Sequence, residues 1–319
     1  MPTAPVPGAG ADVPLAPRPA REPIAAGTAM DAVTLLVDDL DLQLRYYRDV
    51  LGLTVLEGPG DRFDGDAGGA GPVRVALGRR GVPVVVLQHA PGLPPRAAGS
   101  AGLFHTALLF DDRAGLAATL ASVARHAPHT YVGSADHLVS LAFYLTDPEG
   151  NGVELYWDRS RDRWQRAPGG GVLMDALRLD PHAFLREHLV HPEPAGDDAA
   201  VVGHVHLQVG DVAAARGFYV DALGFEVQAE WHGALFVAAG GYHHHLAVNT
   251  WGTAGAGPRA SSLGLGEVRV VVPTVDDLGA LRERVRSAGV VPDDDGATLR
   301  FADPWRNVVR VSARETHAA

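Results

Sequence analysis

From Asp136 to Tyr156 the chain reads DHLVSLAFYLTDPEGNGVELY. An imidazole (His137), a phenol (Tyr144) and a carboxylate (Glu154) fall within one short stretch around an Asp-Pro-Glu-Gly-Asn turn. Imidazole and carboxylate are ligands for a divalent first-row metal, iron among them. Imidazole and phenol can also pass protons during a reaction. The pattern predicts a hairpin, with Tyr144 and Glu154 on consecutive strands and able to face one cup. Metal-assisted chemistry with proton transfer is what such a set allows.

A second concentration is GGYHHHLAVNTW, Gly240 to Trp251. Read as a strand, it turns His243 and His245 to one side and His244 to the other. His105, His204 and His206 lie on apolar stretches elsewhere.

Composition narrows the classes. There is no cysteine, so no disulfide and no thiolate site is possible, and any metal must be held by His, Asp and Glu. Iron, manganese, nickel, cobalt and zinc suit such ligands. The 319 residues carry a net charge of -11 and show no basic stripe, which argues against nucleic-acid binding. Lysine is absent, so every fixed positive charge is an arginine. No apolar run is long enough for a bilayer, and the Pro-, Ala- and Gly-rich start, residues 1–28, lacks the pattern of a signal peptide. A disordered tail and a cytoplasmic location are the expectations.

The elements that must position these groups repeat. VTLLVDDLDLQLRYYRDVLGLTVLE (Val33 to Glu57) matches VHLQVGDVAAARGFYVDALGFEVQAE (Val205 to Glu230) at one offset, pairing Asp39 with Asp211, Tyr47 with Tyr219 and Gly52 with Gly224. Each unit reads as a strand, a capping aspartate, a helix, a glycine stop and a new strand. Weaker copies begin at His105 and Val268, and they close on DPEGNGVEL and DPWRNVVRV. We therefore read four β-α-β-β-β modules, near 29–97, 98–160, 201–257 and 261–314. These form two halves, 29–160 and 201–314, joined by a linker over 161–200. The Gly-rich segment Gly58 to Gly71 is expected to contribute to pocket walls.

Four such modules with this Asp-Pro ending resemble the vicinal oxygen chelate superfamily, which includes glyoxalase I, bleomycin resistance proteins and extradiol dioxygenases. The resemblance covers the chain from about residue 30. It implies an α+β fold in two tandem halves whose curved mixed sheets form metal-binding cups. It also implies one ligand seven residues before each capping aspartate and another at the terminal glutamate. Module one offers Ala32 there, and module four offers Glu267 with Arg310 in place of the glutamate, so neither is complete. Modules two and three offer His105, Glu154 and His204, the ligand set of non-haem iron(II) oxygenases. Sharing them requires module two to pair with three, and one with four. His206 ranks behind His204.

The opening stretch is similar to the extradiol dioxygenase signature through His137, Phe143, Tyr144, Asp147, Pro148, Gly150 and Glu154. Ala135 departs from it, where Gly is preferred. The resemblance implies that His137 and Tyr144 hydrogen-bond substrate and dioxygen-derived atoms. It also implies that His244 is the acid–base group, with His243 and His245 as alternatives or an extra ligand. The motifs GHVH, GGYHHH and DRSRDRWQ match a catechol-2,3-dioxygenase-like branch. The implied function is ring cleavage of a catechol by Fe(II), or Mn(II), and dioxygen, in a chain that can form homo-oligomers. The alternatives are a glyoxalase-like isomerase or thiol transferase, and a non-catalytic binding protein.

Overall fold

A computed structural model describes residues 23–56, 72–167, 169–191, 193–194 and 199–314. Four strand–helix–three-strand units follow one another. The first has β1 (Ala29–Val37), α1 (Leu40–Arg45), β2 (Thr54–Val55), β3 (Arg74–Arg79) and β4 (Val82–His89). The second has β5 (Gly102–Phe110), α2 (Arg113–His126), β6 (Tyr131–Asp136), β7 (Ser140–Thr146) and β8 (Gly152–Asp158). A short β9 (Leu177–Arg178) and α3 (Pro181–His188) stand between halves. The third has β10 (Ala200–Gln208), α4 (Val212–Arg216), β11 (Glu226–Trp231), β12 (Ala234–Ala238) and β13 (Leu246–Asn249). The fourth has β14 (Gly264–Val272), α5 (Val275–Ser287), β15 (Asp293–Asp294), β16 (Thr298–Ala302) and β17 (Val308–Ala313).

The capping chemistry is as the sequence implies. Side chains of Asp39, Asp112 and Asp211 accept from the backbone N–H of Leu42, Gly115 and Ala214. Thr274 forms a reciprocal capping box with Asp277. Gly52 and Gly224 take φ of 71° and 86°, the left-handed region that stops a helix at little cost to glycine. One local feature is not written in the pattern. After α1 and α4 the chain widens into a π-helical turn, at Tyr46–Val50 and Gly217–Ala222.

Two sheets result. An eight-stranded sheet runs β15-β16-β17-β14-β1-β4-β3-β2, and a nine-stranded sheet runs β11-β12-β13-β10-β5-β8-β7-β6-β9. Antiparallel pairing of β1 with β14 joins modules one and four, and that of β5 with β10 joins two and three. Each pairing covers the edge that a lone module would expose. Contacts between the two sheets run the other way. The π-turn tyrosine of module one, Tyr47, donates to Asp147 of module two at 3.2 Å. Its repeat partner Tyr219 donates to Asp303 of module four at 2.9 Å. Every module is thus tied to two others.

Strand alternation sets one face of each first strand into a shared core. Val33, Leu35, Val205, Leu207, Val268 and Val270 are buried there with Leu116, Tyr219 and Leu281 from the helices. The opposite face lines the cup. Of the tail expected over 1–28, residues 1–22 lie outside the described ones, while Ile24 is buried and its N–H donates to Gly224 O. The Gly58 to Gly71 segment, too, lies outside them. Among the described residues no helix is long and apolar enough to cross a membrane.

Candidate metal centre

Three neighbouring strands of the nine-stranded sheet bring His105 (β5), Glu154 (β8) and His204 (β10) together. In the register, Ala107 lies beside Glu154 on one side and His204 on the other, while His105 stands two residues away on the same face. The small Ala107 side chain leaves the space into which the other three reach. One ligating atom from each lies within 4.8 Å of the others. His105 Nε2 is 2.9 Å, and His204 Nε2 3.2 Å, from the same Glu154 oxygen. All three residues are buried, Glu154 to 2% exposure.

Burial acts to raise the Glu154 pKa, but the two imidazoles outweigh it and hold the carboxyl well below its ordinary value. Burial pushes His204 down to about 4, against the pull of Glu154. One carboxylate and two imidazole lone pairs is a donor set that a divalent cation fits, releasing the protons otherwise needed at Nε2. One atom agrees with that fit: His105 Nε2, at the convergence, is buried without a well-aligned hydrogen bond.

His206 is turned away from this convergence. The Asn249 amide donates to its Nε2 at 2.9 Å, and the rings of Phe104, Phe236 and Trp251 pack around it. It forms a wall.

His137 and Tyr144 stand on the other flank. His137 Nδ1 is 2.7 Å from Asp175 O, and a carbonyl only accepts, so Nδ1 carries the proton. Burial lowers the His137 pKa, leaving Nε2 as a lone pair. Tyr144 O–H donates to it at 2.6 Å. Burial, then the Glu154 charge, raises the Tyr144 pKa well above its ordinary value, so the phenol stays protonated. The Tyr144 ring is 5.6 Å from that of His105. His137 therefore acts on the cup through Tyr144.

The triple histidine corrects a reading. It is not a strand whose side chains alternate: positive-φ Gly240 and Gly241 turn the chain, and β13 begins only at Leu246. Adjacent His243 and His244 meet, Nδ1 to Nδ1, at 2.7 Å. His243 Nε2 lies 2.9 Å from Asp158 Oδ1, and Tyr242 O–H donates to the other Asp158 oxygen at 2.7 Å. These contacts order the protons. The carboxylate requires a proton on His243 Nε2, so a neutral His243 accepts at Nδ1 and His244 must donate from Nδ1. His244 Nε2 is left as a free lone pair, with the ring 4.1 Å from that of His204. Burial, then the neighbouring imidazoles, lowers the His244 pKa well below its ordinary value. His245 is occupied elsewhere, its Nδ1 accepting from Ala239 N–H at 3.1 Å.

Sequence reasoning missed Asp158 and Asp175. A signal existed for Asp158: it lies four residues beyond Glu154 on one strand and so shares its face. The Asp175 carbonyl has no side-chain signal.

The profile of the glyoxalase/bleomycin resistance protein/dioxygenase superfamily matches residues 29–155 and 201–311. The chain belongs to that superfamily. It is 36% identical over 276 residues to a catechol-2,3-dioxygenase of Bacillus subtilis (strain 168), covering 85% of this chain and 92% of that protein. Two solved structures share the fold. A candidate dioxygenase from Bacillus subtilis has TM-score 0.62 and 12% identity, over 92% of this chain and 87% of that one. Glyoxalase I from Zea mays has TM-score 0.51 and 17% identity, over 90% and 92%.

Proposed function

We propose that the protein is an extradiol dioxygenase that opens the ring of catechol or a substituted catechol, with Fe(II), or Mn(II), held by His105, Glu154 and His204. The carrying observation is the buried convergence of those three side chains beside a histidine whose free lone pair is fixed by its neighbours. Similarity to a catechol-2,3-dioxygenase supports the substrate class. His105, Glu154 and His204 would hold the metal, which when bound would supply binding and activation of the diol and of dioxygen.

The side chains do the rest. His244 Nε2 accepts a hydroxyl proton from the diol and later returns it. His243 and Asp158 stabilise the imidazolium that forms. Groups in this role contribute about 10²–10⁴-fold to rate. Tyr144, held by His137, presents its oxygen to the cup. Phe104, Trp231 and Phe236 line it with aromatic surface suited to a planar ring. A glyoxalase-like reaction is less well served, because such sites usually use two carboxylates and Glu154 is the one that converges here.

The test is anaerobic reconstitution with ferrous ion, followed by catechol and air. A yellow ring-fission product with matching oxygen uptake is expected. Stoichiometric iron without product or oxygen uptake across a panel of catechols would sink the proposal.

A further inference from the structure

The eight-stranded sheet has an equivalent face, opposite its buried valines, whose residues occupy the repeat-equivalent positions of the metal centre. Arg310 follows Asp303 by seven residues, as Glu154 follows Asp147. Arg300 precedes Asp303 by three, as Tyr144 precedes Asp147. Arg269 pairs with Arg310 across β14 and β17, as Ala107 pairs with Glu154 across β5 and β8. Arg310 also pairs directly with Arg300 across β17 and β16. Three arginines therefore stand side by side on neighbouring strands, on the face opposite the buried Val268, Val309 and Val311.

Direct cross-strand neighbours are about 5 Å apart at Cβ, and like charges there repel. One acid partly compensates. Glu267 accepts from Arg269 Nε at 3.0 Å and from Arg300 Nε at 3.2 Å, which uses both of its oxygens. The central Arg310 has no hydrogen bond or ion pair among the described residues. Two other acids lie near the row without bonding to Arg310: Asp295 accepts from Thr298 and from backbone N–H groups of its own turn while sharing the field of Arg310, and burial raises the Asp31 pKa. Arg269 is buried, whereas the Arg300 side chain is 51% exposed, so the row is open to solvent on one side.

We propose that this second cup binds a small oxyanion, carboxylate or phosphate, on Arg310 between Arg269 and Arg300. A guanidinium presents paired N–H donors that match two oxygens of such an anion. Glu267, which accepts one Nε–H from each of two members of the row, is an internal carboxylate already held by these arginines. A bound anion gives Arg310 the directly bonded negative partner that Glu267 already gives Arg269 and Arg300. The site stands apart from the metal centre and does not depend on the dioxygenase reading.

The test uses the full chain in the metal state in which it is purified, at constant ionic strength with chloride as the balancing ion. Succinate and inorganic phosphate are titrated calorimetrically, and thermal melting is followed in parallel. One or both should bind and raise the melting temperature. Arg310→Gln should weaken that binding by about tenfold or more, the value of one charge-assisted hydrogen bond. Arg310→Lys should fall between, keeping the charge and losing the fork. Arg163→Gln, at another arginine-lined surface, should change nothing. Without anion, Arg310→Gln should melt no lower than the parent, because it relieves repulsion. A purely structural Arg310 would melt lower when replaced and leave anion binding unchanged, which would overturn the proposal. So would heats no larger than those of chloride for both anions.

Discussion

In the nine-stranded sheet an alanine, Ala107, lies between Glu154 and His204; in the eight-stranded sheet the residue at that register is Arg269. The alanine leaves a volume into which lone pairs converge. The arginine fills that volume and brings its own positive charge. The neighbouring substitutions follow suit: Glu267 stands near the His105 position, Arg310 at Glu154 and Arg300 at Tyr144. One cup is arranged to accept a cation, and the other has a cation built in. The difference teaches that the module fixes where side chains meet, while the charge carried there is free to change. Superfamily membership alone therefore does not locate the chemistry.

The comparison breaks most directly at Glu154. Glu154→Gln removes the sole negative charge among the converging groups. Metal affinity should fall by more than the roughly 10- to 100-fold that loss of a merely supporting partner costs. Competition against a chelator measures this, and full retention of stoichiometric metal would falsify the assigned ligand set. Arg310→Glu is the reciprocal change. It should create no ion site in the other cup, since Ala32 offers no ligand and Arg269 still occupies the space.

Next in size is Asp158→Asn. An amide can donate where the carboxylate only accepts, so His243 Nε2 is released from holding a proton. The order of protons then reverses, and His244 Nε2 can lose its lone pair. Expected is a fall in kcat of about 10- to 100-fold, with KM and metal content little changed and the pH profile displaced. An unaltered kcat and pH profile would detach His244 from Asp158.

What the sequence disclosed, and what it hid, follows from the same physics. That His105, Glu154 and His204 converge was readable because the family resemblance names the slots and a repeat of fixed phase turns linear spacing into position on a sheet. The partnership of module two with three was readable as a consequence of sharing that site. The conformation of the triple histidine was not, because alternation assumes a strand and Gly240 and Gly241 impose a turn. Nor were the π-turns, since their residues keep a helical apolar pattern while the backbone widens. The Asp175 carbonyl that sets the His137 tautomer belongs to the backbone between halves, where residue type carries no information.

The two sheets are also held by equivalent latches, and these should respond alike. Tyr47→Phe and Tyr219→Phe each remove a buried phenol that donates to an Asp-Pro turn. Each should cost about 1–3 kcal/mol of unfolding free energy by urea titration. A cost confined to one variant would show that the repeat kept its shape but not its energetics.

Acid provides the gentlest discrimination. Burial, then the fields of His243 and Arg161, pushes the pKa of His245 from 6.5 down to about 3. The unfolded chain takes up that proton near 6.5 and the folded one only near 3, so between those values the unfolded state holds more protons. This contribution to stability is intact above 6.5 and is lost as pH falls toward 3. The slope is at most about 1.4 kcal/mol per pH unit for one group. His245→Asn keeps an oxygen that can accept from Ala239 N–H, so stability near neutral pH should change little while the slope becomes shallower by that share. An unchanged slope would mean that His245 takes up no proton on unfolding. The arginine row stays cationic throughout the range. Hydrogen exchange on lowering the pH should therefore open β10 and β13 before β14 and β17, and the reverse order would erase the distinction between the cups.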